Sequence, residues 1–285
     1  MSQVDSPLLP LPVRGKSHAV VFFDQFPKSL MTELTTRLTA EYPLLAPLDP
    51  QRWGAAKEPR MVSFGELQAK TSEHGHHAAW HLLIDSEGVA PEVKKAILDG
   101  PQGHDERILG KLEDATASVL VFLLDDGVRP STPLTRLHAL AHPVWSLLEL
   151  GATGVAFPEG GTMLSAETLG LLRPDQLSPG HSYLFVSSGM AHRGESSLWF
   201  RTFGMAQFGL PDLCHAVAAN LGDELDDELT RTRLVLETLP PEMIAQGGVL
   251  PIGGMVTVGE RNFVAKPMPE DAPPMASRHG FCYLE

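Results

Sequence analysis

The sequence predicts an α+β fold with mixed or antiparallel sheets flanked by helices. Two observations carry this prediction. Strand and helix patterns alternate in the first half of the chain, whereas the strands of the second half are spaced like hairpins. Each half offers a β-α-β unit with additional strands, which predicts two ferredoxin-like subdomains that share an interface.

The first half begins with a strand followed by a helix. Residues 18–24 form a short apolar run of β-branched and aromatic side chains, which is typical of a buried strand. Leucines at four-residue spacing then share one helical face, namely Leu30, Leu34 and Leu38. Further strands are predicted over residues 61–64, 78–85 and 118–124, and the last of them ends in the turn Asp125-Asp126-Gly127.

A longer helix is predicted after residue 131, with clear signals for its start and its end. Thr132 is a suitable N-cap, Pro133 suits the first helical position, and Gly151 suits the C-terminal end. Apolar residues recur every three or four positions between them, which predicts a helix face packed on a sheet. Pro143 lies inside this pattern, so we expect a kink or two abutting helices there.

The second half is predicted to contain several strands and one acidic helix. Strands are expected over residues 153–157, 182–187, 197–203 and 255–258, with a short helix over about 165–172. The strands 182–187 and 197–203 would form a hairpin, and residues 212–218 would form a third strand or the start of a helix. A helix over 223–239 has acidic residues first and arginines later, an order that suits the helix dipole.

These patterns divide the chain into four segments. Residues 1–17 are an extended N-terminal lead-in, and residues 18–130 form an N-terminal α+β subdomain. Residues 131–265 form a C-terminal α+β subdomain. Residues 266–285 contain several prolines and are predicted to be an irregular tail.

Composition and charge exclude some classes of function. The chain has 22 lysines and arginines against 35 aspartates and glutamates, and the resulting net charge of −13 argues against nucleic-acid binding. Its 2 cysteines are too few for a disulfide framework and indicate a reducing, cytoplasmic setting. The most apolar stretch, residues 137–157, is interrupted by polar residues and a proline, so no membrane segment is predicted.

The candidate binding residues all lie in the second half: His192, Arg193, Trp199, Arg201 and Asp212. Three of them, His192, Arg193 and Arg201, could form a small cationic pocket for an anionic ligand; the alternative is that they are exposed charges of a hairpin. An enzyme could instead use His192, Arg201 and Asp212 around a cleft beside the 182–213 hairpin, if they lie within hydrogen-bond reach. We assign no catalytic residue.

A metal site at His74, His76 and His77 is a further alternative. His81 follows His77 at the four-residue spacing that a helix would use to bind one ion. The strand pattern of residues 78–85 would instead hold these two imidazoles about 13 Å apart, too far for a shared ion. We therefore predict no bound metal and no cofactor.

The segment from Trp199 to Leu213 contains the most distinctive motif of the chain. Gly204 and Gly209 allow positive φ at the two ends of a tight connection, Phe208 can anchor it in the core, and Pro211 stiffens its exit. This segment resembles the signature of the bacterial family catalogued as domain of unknown function 4261. The resemblance spans residues 118–259 and implies a shared fold and a bacterial origin, but no reaction. Asp212 stands where that family has a glutamate.

The sequence therefore predicts a bacterial, cytoplasmic, non-catalytic protein that binds another protein, as an immunity or regulatory factor. The acidic charge suits a basic partner, as inhibitors of basic nucleases show. The alternative function is a small-ligand-binding enzyme or hydrolase with its site beside the 182–213 hairpin.

Overall fold

The computed structural model describes residues 2–4, 9–10, 16–25, 27, 29–41, 45–47, 61–66, 78–85, 88–98, 106–125 and 132–285. The strands are, in chain order, β1 (Ser2–Val4), β2 (Leu9–Pro10), β3 (Lys16–Phe23), β4 (Leu45–Pro47), β5 (Met61–Glu66), β6 (Ala78–Asp85), β7 (Ala117–Asp125), β8 (Gly154–Phe157), β9 (Thr162–Ser165), β10 (Ser187–Arg193), β11 (Ser197–Phe203), β12 (Asp212–Ala218), β13 (Gly248–Val249), β14 (Met255–Val258), β15 (Arg261–Lys266) and β16 (Phe281–Leu284). The α-helices are α1 (Leu30–Glu41), α2 (Pro91–Leu98), α3 (Glu106–Asp114), α4 (Pro133–Glu149), α5 (Ala166–Leu169) and α6 (Leu225–Gln246). Short 3-10 helices lie at Pro174–Gln176, Pro179–Leu184, Met205–Phe208 and Gly222–Glu224.

The described strands form two large sheets. The first has the spatial order β4-β5-β6-β7-β3-β8-β9, and its neighbouring strands are antiparallel. The second has the order β1-β14-β15-β16-β12-β11-β10 and is antiparallel except where β12 runs parallel to β16. Strands β2 and β13 form a separate pair. Antiparallel and mixed sheets accompanied by helices confirm the predicted α+β fold.

Helices cover both faces of the first sheet, and strand β3 shows why. Successive side chains of a strand point to opposite faces. Val21 and Phe23 join the core formed with α1 and α4, whereas Val20 and Phe22 join a second cluster formed with α2 and α3. Because β3 is buried on both faces, its sequence is a continuous apolar run and does not alternate between apolar and polar residues.

The two sheets share one hydrophobic core. Buried residues of α4, β3 and β8 belong to the same cluster as buried residues of α6, β12 and β14. Leu140 of α4 and Leu239 of α6 are examples from the two sides. The helices α4 and α6 therefore pack between the halves of the molecule and join them into one packed unit.

The segment boundaries predicted from the sequence do not coincide with the division between the sheets. Strands β8 and β9 follow residue 131 yet extend the first sheet, and β1 of the predicted lead-in pairs with β14 of the second. The first sheet also departs from the ferredoxin-like arrangement, which places the first and third strands of a β-α-β-β-α-β unit side by side and parallel. Every described pair of neighbouring strands in this sheet is antiparallel.

Both proline-containing helices continue through their prolines. Helix α4 is one continuous helix through Pro143, with Thr132 as its N-cap, so two abutting helices are a wrong prediction. Helix α6 continues through Pro240 and Pro241 and ends at Gly247, which has φ +65°. Residues on both sides of these prolines are buried in the shared core, and their packing offsets the lost backbone hydrogen bonds.

Two further predictions in the second half are wrong. Residues 182–184 belong to the 3-10 helix Pro179–Leu184, and the first hairpin strand begins only at Ser187. The tail is irregular only over residues 267–280, because β16 lies inside the second sheet, between β15 and β12. Residues 212–218 form a strand, β12, which settles the alternative left open by the sequence.

Candidate functional site

Three of the predicted binding residues lie on one face of the second sheet. Arg201 of β11 pairs with Cys214 of β12, and Trp199 pairs with Ala216. Asp212 lies two residues before Cys214 and so points to the same face. The hairpin thus brings Trp199, Arg201 and Asp212 to one side of the sheet.

The segment 267–280 covers this face. Its residues Met268, Ala272 and Met275 pack on a cluster that includes Trp199 and Tyr283. Trp199 is only 5% exposed, and its ring centroid lies 5.8 Å from that of Tyr283. Trp199 therefore packs against the covering segment and leaves little of its side chain exposed for contact with another molecule.

Arg201 is largely enclosed between aromatic rings. Its guanidinium carbon lies 4.2 Å from the ring centroid of Phe203 and 5.3 Å from that of Phe281. Nη1 donates a hydrogen bond to the carbonyl of Ala276 at 2.6 Å, and Nη2 lies 3.7 Å from Oδ2 of Asp212. These contacts tie the covering segment to the sheet.

Asp212 is a buried carboxyl group with loose contacts. The hydroxyl of Thr202 and the backbone N–H of Met205 both donate to Oδ1 at 3.4 Å, longer than ordinary hydrogen bonds of about 2.7–3.2 Å. Burial raises the pKa of Asp212 to about 6, although Arg201, the backbone N–H of Met205 and the hydroxyl of Thr202 hold it down. Such a carboxyl group in a cleft is a candidate for ligand binding or proton transfer.

The glycine motif builds the turn that places Asp212. Gly204 and Gly209, with φ of +102° and +71°, flank the 3-10 helix Met205–Phe208. A Cβ atom on Gly204 would lie 2.4 Å from the carbonyl oxygen of Phe185. That same carbonyl accepts a hydrogen bond from Gln207 Nε2 at 3.1 Å. The close approach of this turn to Phe185 therefore requires glycine.

A cleft of about 470 Å³ opens beside the Arg201–Asp212 pair. The other polar groups at the cleft are Glu159, Ser277 and Arg278, and Arg278 Nη2 donates to Glu159 Oε1 at 3.1 Å. No sequence pattern points to these three residues, because they come from a tight turn and from a tail predicted to be irregular. Only their position in the fold joins them to the 199–213 motif.

His192 and Arg193 lie apart from this cleft. Both are exposed on β10, where His192 pairs with Trp199 and Arg193 with Leu198. Among the described residues, neither side chain forms a hydrogen bond or an ion pair, whereas the side chain of Arg201 contacts Asp212 and Ala276. Of the five predicted residues, Trp199, Arg201 and Asp212 therefore lie on the covered face of the sheet, and His192 and Arg193 are exposed on β10.

A groove of about 600 Å³ runs between β10 and helix α6. Apolar side chains form much of it, including Val186, Phe200, Leu229 and Leu236. Tyr183, 62% exposed, lies at the same groove, and Met190, 52% exposed, directly follows the groove residue Gly189. This concentration of exposed large apolar groups at the end of a sheet is a second candidate site.

Neither cysteine is suited to nucleophilic chemistry. Burial raises the pKa of both Cys214 and Cys282 to about 12, so the thiols stay protonated at neutral pH. Cys214 and His215 point to opposite faces of β12: Cys214 belongs to the cluster with Trp199, and His215 contacts Phe263.

Comparison with family models, with curated proteins and with solved structures found no match for the chain. Within the described residues, no group of three or more histidine, cysteine, aspartate or glutamate side chains is placed to hold a metal ion. His74, His76 and His77 lie outside the described residues. None of the described helices has the length and the apolar content needed to cross a membrane.

Proposed function

We propose that this chain is a non-catalytic protein-binding module that receives an extended segment of a partner protein along strand β10. The observation that carries the proposal is that β10 ends the second sheet and borders the apolar groove beside α6. Strand addition at such an edge supplies backbone hydrogen bonds, and neighbouring pockets supply specificity for side chains.

The exposed side chains at this edge support the proposal. Among the described strands β10 pairs only with β11, so its outer backbone groups face away from the sheet. Natural sheets limit uncontrolled edge pairing with irregular register and with charged side chains. Strand β10 has both features, a register shift between Met190 and His192 and the charge of Arg193. Edge protection does not explain why Tyr183 and Met190 are exposed beside a groove, whereas a docking surface does.

Charge favours a basic partner. The net charge of −13 attracts a positively charged protein and speeds its association. This charge is the basis for an immunity or regulatory role. Kinship with the bacterial family of unknown function 4261, a bacterial origin and a cytoplasmic location belong to the same proposal and rest on the 199–213 motif and on the cysteine content.

The test is capture of a partner from native bacterial lysate by the wild type and by matched variants. Met190→Asp places a charge at the middle of the edge strand, and Leu171→Asp places one at a residue 84% exposed and outside the groove. We expect one stoichiometric partner that the wild type and Leu171→Asp retain, that Met190→Asp loses, and that elutes with rising salt. Equal retention by all three proteins, or no partner at all, would contradict the proposal.

Small-ligand binding or hydrolysis beside the hairpin is the second candidate function. The specific observation in its favour is the pKa of Asp212, raised to about 6 in a cleft that also contains Arg201 and Ser277. Acid–base chemistry at neutral pH uses carboxyl groups with raised pKa values.

A further inference from the structure

Two side chains that line the cleft beside Asp212 each have a buried polar atom without a hydrogen-bond partner. In the described part of the chain these atoms are Arg201 Nε and Ser277 Oγ. Both can donate a hydrogen bond. Buried polar groups are nearly always hydrogen-bonded in native proteins, so these two donors indicate a missing ligand or bound water.

We propose that this cleft binds a small oxyanion carrying one negative charge, together with one proton. The inference rests on the second candidate function and names the class of its ligand. Arg201 and Arg278 supply the cationic wall, and the hydroxyl of Ser277 is a further donor. A carboxylate and a monovalent phosphate share this chemistry.

The charges of the cleft explain why a proton would bind together with the anion. Among the described lining residues, two guanidinium groups, of Arg201 and Arg278, accompany two carboxyl groups, of Asp212 and Glu159. With all four ionised, these four side chains carry no net charge. Protonation of Asp212 makes the charge of the cleft more positive by one unit, which favours a monovalent anion.

The groups around Asp212 and His279 indicate that Asp212 is the group that gains the proton. Asp212 faces Arg201, Thr202, Ser277 and Cys214, and its pKa of about 6 makes protonation accessible near neutral pH. Burial, Arg278 and Arg136 lower the pKa of His279, while Glu159 raises it.

Among the described residues, a further titratable group near the cleft is His18 of β3, whose Nδ1 lies 3.8 Å from Glu159 Oε1. Burial and Arg278 lower the pKa of His18, while Glu159 raises it. The lowered pKa values keep both imidazoles uncharged at pH 7.5, and the raised pKa of Asp212 lets this carboxyl group gain a proton as the pH falls toward 6.

The test is isothermal titration of the full chain at pH 5.5 and pH 7.5 with methanesulfonate, acetate and inorganic phosphate. Acetamide and methylammonium serve as neutral and cationic comparators. Methanesulfonate stays singly charged at both pH values, so any pH dependence belongs to the protein. We expect binding of an anion that is at least about tenfold tighter at pH 5.5, since Asp212 is mostly protonated there and mostly ionised at pH 7.5.

Three variants test whether the pH-dependent binding of the anion takes place in this cleft. Asp212→Asn imitates the protonated carboxyl group and should bind the anion at pH 7.5 as tightly as the wild type does at pH 5.5. Arg278→Gln should weaken binding at least about tenfold, and Arg193→Gln, which removes an exposed cation of β10, should leave it unchanged. Binding of acetate with methanesulfonate identifies a carboxylate-type ligand, and binding of inorganic phosphate alone identifies a phosphate-type ligand.

Two results would overturn the inference in distinguishable ways. Acetamide or methylammonium binding as well as the anions would refute the oxyanion and leave the small-ligand function standing. Failure of Asp212→Asn to bind any of the five compounds at millimolar concentration would remove the small-ligand function as well. Neither result bears on partner binding at β10.

Discussion

Replacing Gly204 by alanine should cost about 3–5 kcal/mol of the free energy of unfolding, because two separate penalties add at this position. The backbone has φ +102°, which a side chain strains, and the new Cβ would lie 2.4 Å from the carbonyl oxygen of Phe185 and 2.8 Å from Cα of Gly160. Relief of the clash would also disturb the hydrogen bond from Gln207 to Phe185. Urea unfolding followed by circular dichroism measures the loss.

Gly151→Ala is the matched control for this prediction. Gly151 has φ +100°, and no atom lies within 4 Å of the position of its Cβ, so the variant isolates the backbone strain. It should cost about 1–2 kcal/mol. If Gly204→Ala lost no more than Gly151→Ala, the close approach of the 199–213 turn to Phe185 would not be a structural requirement.

The stability of the protein should also depend on pH through Asp212. The pKa of this carboxyl group is raised from 3.8 to about 6 by burial, so between these values the folded state binds more protons than the unfolded state. Its contribution is therefore fully present below pH 4 and is lost as the pH rises through 6. With about 1.4 kcal/mol for each pKa unit, the loss is about 3 kcal/mol.

Asp212→Asn provides the comparison that isolates this group. Between pH 4 and pH 7, the unfolding free energy of the wild type should fall by about 3 kcal/mol relative to that of Asp212→Asn. Other titrating groups, such as His215 and His279, are present in both proteins and cancel. A difference that is constant with pH would show that Asp212 is not buried as described.

Local patterns were sufficient for much of the fold. The strand predicted over residues 78–85 has these bounds in the structure, as β6, and Thr132 caps α4 as its sequence indicates. The features that predict buried strands and capped helices, apolar runs and capping side chains, lie within the element or next to it in the sequence. The α+β class follows from such signals alone.

The remaining features depend on contacts between distant parts of the chain. Strand β16 forms because residues 281–284 pair with β12 and β15, and the proline-rich segment before it gives no hint of that pairing. Helix α6 passes Pro240 and Pro241 because Leu239 and Met243 are buried on either side. Pairing and packing of this kind override local propensity.

The candidate site was only half predictable for the same reason. Arg201 and Asp212 were found because the hairpin motif contains both. Glu159 and Arg278 are 119 positions apart in the chain, and only the folded structure brings them together at the cleft. Conversely, Trp199 was expected to bind a partner, but it lies beneath the segment 267–280.

We propose that the glycine and aromatic residues of the segment 199–213 build the scaffold and that the exposed edge of β10 binds the partner. The most direct measurement is the affinity of one purified partner, together with the thermal midpoint of unfolding, for Met190→Asp and Trp199→Phe. We expect Met190→Asp to bind at least about tenfold more weakly with an unchanged midpoint, and Trp199→Phe to bind normally with a lowered midpoint. Weakened binding by Trp199→Phe and unaltered binding by Met190→Asp would contradict the claim.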